Sequence, residues 1–127
     1  MTLASILAVG LGGAIGALLR TVGRPLVQKH FKGTFFWGTF LVNMAACLIG
    51  GMLIRLNLTD PLRAALVTGF LGGLSTLSTF NVEVLGYALA RKWGMSAFYL
   101  FITYAAGLAC VAIAFMATDS VLVAFNF

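Results

Sequence analysis

Charged residues are scarce in this chain of 127 residues, of which only 9% are Asp, Glu, Lys or Arg. A soluble domain usually carries about a quarter of its residues as charged side chains. With 61% hydrophobic residues, the chain lacks the polar surface that a water-soluble fold of this size requires. The composition therefore predicts an integral membrane protein that lies in a lipid bilayer.

Groups that could carry chemistry are equally few, with one histidine, two cysteines and three acidic residues. The cysteines form no CxxC or Cys/His cluster, so neither a metal site nor a disulfide framework is indicated. No Ser/His/Asp set, pair of carboxylates or phosphate-binding loop can be assembled. The basic residues lie at the ends of hydrophobic runs, which excludes a nucleic-acid-binding surface. We therefore expect neither an enzyme nor a nucleic-acid-binding protein.

The long hydrophobic runs predict transmembrane helices, because a bilayer core of about 30 Å needs about 20 apolar residues per helix. Four helices are expected at about 2–22, 34–56, 62–90 and 95–118, which makes 1–127 a single membrane domain. The first run lacks a basic leading segment and a cleavage site, so we expect a retained helix rather than a signal peptide.

Basic residues are distributed unevenly between the two ends of these helices. Two loops on one side carry six of the eight Lys and Arg residues, namely Arg20, Arg24, Lys29, Lys32, Arg91 and Lys92, and the other side carries Arg55 and Arg63. Lys and Arg favour the cytoplasmic side. We therefore expect both termini outside a plasma membrane, in one fixed orientation.

The third hydrophobic run is unusual, because Gly72 and Gly73 are followed by the pairs Ser75-Thr76 and Ser78-Thr79. Glycine costs about 1 kcal/mol relative to alanine in a helix. One interpretation is a broken helix that lines a cavity and presents carbonyls to a cation. The other is a glycine notch for a neighbouring helix, with the hydroxyls bonded to carbonyls of the preceding turn. Composition leaves both open.

Other residues indicate tight packing and a polar path. Gly12 with Gly16, and Gly69 with Gly73, form GxxxG motifs that favour close helix contacts, either within one subunit or in an oligomer. Asn43 lies at membrane depth, where an amide marks a pathway or an interhelical hydrogen bond. Four short helices enclose little volume, so an oligomer is expected.

Several motifs together resemble the Fluc (CrcB) fluoride channels. They are Arg20 after a glycine-rich helix, Gly38-Thr39 followed by Asn43, and the string Gly69-Phe70-Leu71-Gly72-Gly73-Leu74-Ser75-Thr76-Leu77-Ser78-Thr79-Phe80 followed by Glu83. The resemblance covers all four helices in order. It implies a dual-topology-type dimer of antiparallel subunits, a break in helix three, and passive export of cytoplasmic fluoride.

The resemblance also implies roles for individual residues. A sodium ion at the dimer interface would be bound by the backbone carbonyls of Gly72 and Ser75. The fluoride pore would be lined by Asn43, Phe80, Ser78, Thr79 and Tyr104, and the vestibule would contain Arg20 and Glu83.

The chain departs from the family pattern at several pore positions. Leu77 stands where a second pore phenylalanine is usual, Asn81 replaces a serine, and Leu108 and Ala112 replace hydroxyl residues of helix four. Together with the charge asymmetry, these losses favour a heterodimer with an oppositely oriented paralogue, in which one pore is complete. A homodimer is the alternative.

Two other functions compete with the channel. A small multidrug-type transporter needs a carboxylate within helix one, and this chain has no acidic residue before Asp60. A non-conducting assembly subunit would need only the packing glycines, so the sequence leaves that alternative open.

Overall fold

The computed structural model describes residues 2–31, 33 and 35–126, and every regular element in those ranges is helical. Four helical spans are long and apolar enough to cross a bilayer: Leu3–His30, Trp37–Arg55, Asp60–Leu89 and Trp93–Ala124. The prediction of an all-α, multi-pass membrane protein is confirmed. Lys32, one of the basic loop residues, and residue 34, where the second helix was expected to begin, lie outside the described residues.

The third span is a succession of shorter elements. The first two spans are α1 (Leu3–His30) and α2 (Trp37–Arg55). The third contains α3 (Asp60–Arg63), a π-helical segment (Ala64–Leu71), α4 (Gly72–Leu74) and α5 (Leu77–Leu89), and the fourth is α6 (Trp93–Ala124).

Two helices extend further than the hydrophobic runs indicate. The first ends at His30 instead of near residue 22, although Pro25 lies inside it. Gln28 connects the added turns to the following loop and to the first turn of α2, because its side chain donates to the Phe35 carbonyl and accepts from Gly38 N, each at 3.1 Å. The fourth helix continues past residue 118 to Ala124.

An ion pair accompanies the added turns of α6. Arg55 Nε lies 2.5 Å from Asp119 Oδ1, so the end of α2 is joined to a turn of α6 that begins where the apolar run stops. Local hydropathy gives no information about such tertiary contacts. Both helices are therefore longer than the hydrophobic runs predict.

The helices pack as two pairs. The most extensive contacts join α1 with the π-helical segment and α2 with α6. In the first pair the backbones touch at glycines: a Cβ at Gly16 would lie 2.1 Å from the Phe70 carbonyl oxygen, and one at Gly73 would lie 2.3 Å from that of Gly13. The GxxxG motifs of α1 and of the third span therefore meet each other within one subunit.

Aromatic residues form a buried cluster between α5 and α6. Tyr99 and Phe80 are almost fully buried, at 0% and 2% exposed, and pack with Tyr87. Their ring centroids lie 5.1 Å apart for Phe80 and Tyr99, and 5.9 Å apart for Tyr87 and Tyr99. This cluster fixes the orientation of α5 against α6, and with it the position of the polar residues described next.

Candidate functional site

The backbone leaves the helical conformation between α4 and α5. Ser75 has ψ 156° and Thr76 has φ −145° and ψ 105°, both in the extended region. Asn43 of α2 pairs with this extended residue: its Oδ1 accepts from Thr76 N at 2.8 Å, and its Nδ2 donates to the Thr76 carbonyl at 3.2 Å. The amide thus satisfies both backbone groups of Thr76, which neither water nor lipid would do inside a bilayer.

Side chains take over two bonds that a continuous helix would make. In an α-helix Thr76 N would donate to the Gly72 carbonyl, and Thr79 N to the Ser75 carbonyl. Here Thr76 N donates to Asn43, and Thr79 N donates to the Thr76 hydroxyl at 3.3 Å. The interruption therefore redirects the helical donors of the two carbonyls that the resemblance assigns to a sodium ion.

Arg20 of α1 reaches the same interruption. Its Nη1 donates to the Ser75 carbonyl at 3.3 Å, while the Ser75 hydroxyl donates to the Leu71 carbonyl at 2.9 Å. The guanidinium places a positive charge beside the interruption instead of extending only toward headgroups. A carbonyl has two lone pairs, so the contact with Arg20 leaves Ser75 able to accept a second partner.

A groove runs along α2, the interruption and α6. Four of the predicted site residues share it, namely Asn43, Ser75, Phe80 and Tyr104, and Leu77 lies beside them. Its remaining lining residues are mainly apolar: Ala46, Cys47, Gly50, Ile54, Leu71, Thr76, Thr103 and Val111. Polar groups therefore occur at one level of an otherwise apolar groove.

Phe80 and Tyr104 contact each other at this level. Their ring centroids lie 6.0 Å apart with an interplanar angle of 81°, so one ring points its edge at the face of the other. Tyr104 is 56% exposed and Leu77 is 63% exposed, whereas Phe80 is buried. The groove is therefore open on the side where Tyr104 and Leu77 lie.

Glu83 belongs to a second polar cluster, one turn further along α5. Thr39 Oγ1 donates to its Oε1 at 2.6 Å, and the Tyr99 hydroxyl donates to its Oε2 at 2.7 Å. All three residues are buried. Glu83 and Thr39 also line a separate cavity with Arg24 and Gln28, near the loop between α1 and α2.

Not every predicted site residue lies in the groove. Among the described residues, Ser78 and Thr79 fall outside its lining, and Ser78 is exposed at the start of α5. Gly72 is also exposed, and a Cβ at this position would have no other atom within 4 Å.

Sequence reasoning missed Thr103 and Tyr99. The Thr103 hydroxyl is buried at the groove without a hydrogen-bond partner among the described residues, and Tyr99 completes the bonding of Glu83. Thr103 was detectable as a hydroxyl residue beside Tyr104 in an otherwise apolar run. The role of Tyr99 was not detectable, because it depends on how α5 and α6 pack.

A family model and the similar proteins point to the same family. A family model described as CrcB-like protein, Camphor Resistance (CrcB), matches residues 7–115. The fluoride-specific ion channel FluC 2 of Rhodococcus jostii is 42% identical over 115 residues, covering 91% of this chain and 99% of that protein. FluC of Desulfotalea psychrophila is 40% identical over 114 residues, covering 87% of this chain and 88% of that protein.

Proposed function

The chain belongs to the CrcB family, and we propose from this that it is a fluoride-specific ion channel that exports cytoplasmic fluoride passively. The observation that carries the proposal is the likeness to relatives named fluoride-specific ion channels, which spans nearly the whole of both chains. These names describe ion channels and not enzymes, in agreement with the sequence-based expectation.

The groove offers the contacts that a small, strongly hydrated anion needs. An asparagine amide has two N–H groups, and Asn43 uses one for the Thr76 carbonyl, which leaves the second for fluoride. The Thr103 hydroxyl is a further donor at the groove. Phe80 lines the groove, and the edge of an aromatic ring carries the positive part of its quadrupole. These groups would replace part of the water that fluoride loses.

Charged residues would act at the approaches to this path. Arg20 adds a positive charge at the interruption, which raises the local anion concentration. Glu83 is held by two hydroxyl donors at the cavity that Arg24 also lines, so we place it in the vestibule. Ser78 and Thr79 follow the exposed Leu77, and they would join the path where a partner subunit covers the groove.

A second subunit would close the open side of the groove. Leu77 and Tyr104 line the groove there and are 63% and 56% exposed, and Leu108, one helical turn after Tyr104, is 72% exposed. We propose an antiparallel dimer, with an oppositely oriented paralogue as the partner and both termini of this chain outside. The six-to-two distribution of Lys and Arg supports one fixed orientation. Leu108 and Ala112 lack donors, which supports a partner that supplies the missing ones.

We propose that sodium binds at the interruption of the third span. The carbonyls of Gly72 and Ser75 fit this cation because their helical donors are redirected to Asn43 and to the Thr76 hydroxyl. Carbonyl oxygens are the ligands that hard cations prefer. The exposed position of Gly72 would let its carbonyl face a partner subunit. When bound, the ion would supply a positive charge that holds the two subunits together.

A non-conducting assembly subunit is the second candidate, favoured by the exposed apolar Leu77 and Leu108 where the family has pore residues. Fluoride efflux from liposomes, read with a fluoride electrode, separates the two functions. We expect rapid efflux when the chain is reconstituted with its paralogue and slower efflux from the chain alone. Full efflux from the chain alone would contradict the heterodimer, and no efflux in either case would favour the assembly subunit.

Replacing Thr103 with valine is expected to lower fluoride efflux about tenfold, the equivalent of about 1.4 kcal/mol. The substitution removes a buried hydroxyl that has no hydrogen-bond partner in the part of the chain that the structure describes, so no hydrogen bond observed there is lost. Thr118→Val is the matched control on α6, because the Thr118 hydroxyl already donates to the Ala114 carbonyl at 2.8 Å. Unchanged efflux from Thr103→Val would show that fluoride does not contact this hydroxyl.

Replacing Gly72 with valine is expected to leave the subunit folded and to abolish the dimer. Among the described residues, a Cβ at Gly72 would meet no atom within 4 Å beyond its own stretch of backbone, whereas one at Gly73 would lie 2.3 Å from the Gly13 carbonyl oxygen. Gly73→Val is therefore expected to unfold the subunit itself. Circular dichroism and chemical cross-linking in detergent distinguish these results, and an intact dimer from Gly72→Val would contradict the proposed sodium-bearing interface.

A further inference from the structure

Three sulfur-bearing side chains meet between α2 and α6. Met44 and Cys47 are one helical turn apart on α2, and Cys110 lies on α6. The Cys110 Sγ is 3.8 Å from the Met44 Sδ. Gly107, one turn before Cys110, faces the other two sulfur-bearing side chains: a Cβ there would be in van der Waals contact with both, 3.5 Å from the Cys47 Sγ and 3.7 Å from the Met44 Cε.

This cluster is open to the groove on one side. Cys47 belongs to the groove lining, together with Asn43 and Phe80, and both thiols are free and half-buried. A cysteine in a membrane helix usually acts as a small hydrophobic residue. Here two thiols and a thioether lie close together, and the groove that Cys47 lines gives an ion a route to them.

We propose that Cys47, Cys110 and Met44 form a site for a soft monovalent cation of the silver(I) or copper(I) type. Thiolate and thioether ligands select such cations over hard ones. We further propose that an occupied site closes the groove to fluoride, and this second part rests on the proposed function.

The binding step conserves charge within the membrane. The cation bonds to the Cys47 Sγ as the S–H bond breaks, and the proton leaves through the groove to water. Cys110 and Met44 bind through sulfur lone pairs and stay neutral. The cation replaces the proton, so the site gains no net charge. A net charge would be costly to bury in an apolar medium.

Silver nitrate in chloride-free buffer is the probe, because silver(I) undergoes no redox reaction with thiols under these conditions. After gel filtration of the dimer, elemental analysis is expected to give one silver per chain. Cys47→Ser, Cys110→Ser and Met44→Leu should each weaken binding at least about tenfold, because each removes one sulfur ligand. Met52→Leu is the matched control, because Met52 lies on α2 and is exposed. Silver that stays bound stoichiometrically to Cys47→Ser would overturn the site.

A second measurement avoids the chance that a variant fails to fold. In the unmodified protein, silver should protect Cys47 from alkylation by N-ethylmaleimide. Alkylation at the same rate with and without silver would also overturn the site.

Fluoride efflux tests the closure separately. Silver is expected to block efflux from the unmodified protein, and Met44→Leu and Cys110→Ser should need at least about ten times more silver. Stoichiometric binding without block would overturn the closure alone. A protein that binds silver but conducts no fluoride before silver is added would contradict the proposed function and leave the metal site standing.

Discussion

Replacing Asn43 with alanine is expected to lower fluoride efflux about a hundredfold, which corresponds to about 2.7 kcal/mol. The side chain accepts from Thr76 N at 2.8 Å and donates to the Thr76 carbonyl at 3.2 Å. Alanine leaves both backbone groups without these partners, and each unpaired buried group costs about 1–3 kcal/mol. It also removes the N–H that we assign to fluoride. The position therefore combines a structural role with the role in the fluoride path that we propose for it.

A second substitution keeps one of the two structural hydrogen bonds. Asn43→Asp keeps an oxygen that accepts from Thr76 N, loses the N–H that donates to the Thr76 carbonyl, and introduces a carboxylate that repels an anion. We expect this variant to retain its helical circular dichroism and its dimer while efflux falls as far as in Asn43→Ala. Asn57→Ala is the control for the residue type, since Asn57 is exposed between α2 and α3. Efflux at the unmodified rate from Asn43→Ala would refute the assigned path.

Hydropathy was sufficient to predict the four spans, because each one needs only length and apolar composition. It did not predict that α1 runs on to His30 or that α6 runs on to Ala124. Both extensions involve contacts outside the helix itself, namely those of Gln28 with the following loop and the first turn of α2, and that of Asp119 with Arg55. Such contacts depend on which helices become neighbours, and hydropathy carries no information about that.

The site could be predicted in part for the same reason. An amide at membrane depth must find partners, so Asn43 was identifiable from sequence as a residue with a role. Its partner Thr76 is 33 residues away and was not identifiable, because the pairing follows from the way α2 crosses the third span. Likewise Glu83 was conspicuous as a rare acid, whereas the two hydroxyls that bind it come from different helices.

The glycines show a related limit. Their spacing indicated close helix contacts but left open whether these lie within a subunit or between subunits. In the structure Gly16 lies against the Phe70 carbonyl, and Gly73 lies against that of Gly13, so one crossing uses both motifs. This crossing supports the interruption, because α4 is held against α1 within a few residues of Ser75. The geometry of the interruption therefore depends on packing at Gly16 and Gly73, which do not line the groove.

Replacing Gly16 with alanine is expected to prevent stable folding, since the added Cβ would lie 2.1 Å from the Phe70 carbonyl oxygen and 2.9 Å from Leu74 N. These are backbone atoms, so no side chain can rotate away, and α1 must separate from the third span by about 1 Å or more. Overpacking of this kind costs about 1–3 kcal/mol, and more where the backbone must move. We expect the variant to aggregate at a lower temperature in detergent and to give no efflux.

Gly10→Ala is the matched control on the same helix, because a Cβ at Gly10 has no other atom within 4 Å. Alanine is favoured over glycine in a helix by about 1 kcal/mol, so this variant should be as stable as the unmodified chain or more stable. The expected stability changes of Gly16→Ala and Gly10→Ala are opposite in sign, so a general effect of alanine on helix propensity cannot explain both. A stabilising effect of Gly16→Ala would contradict the close approach of α1 to the Phe70 carbonyl. The helix crossing that positions Ser75 and Arg20 would then differ from the one described.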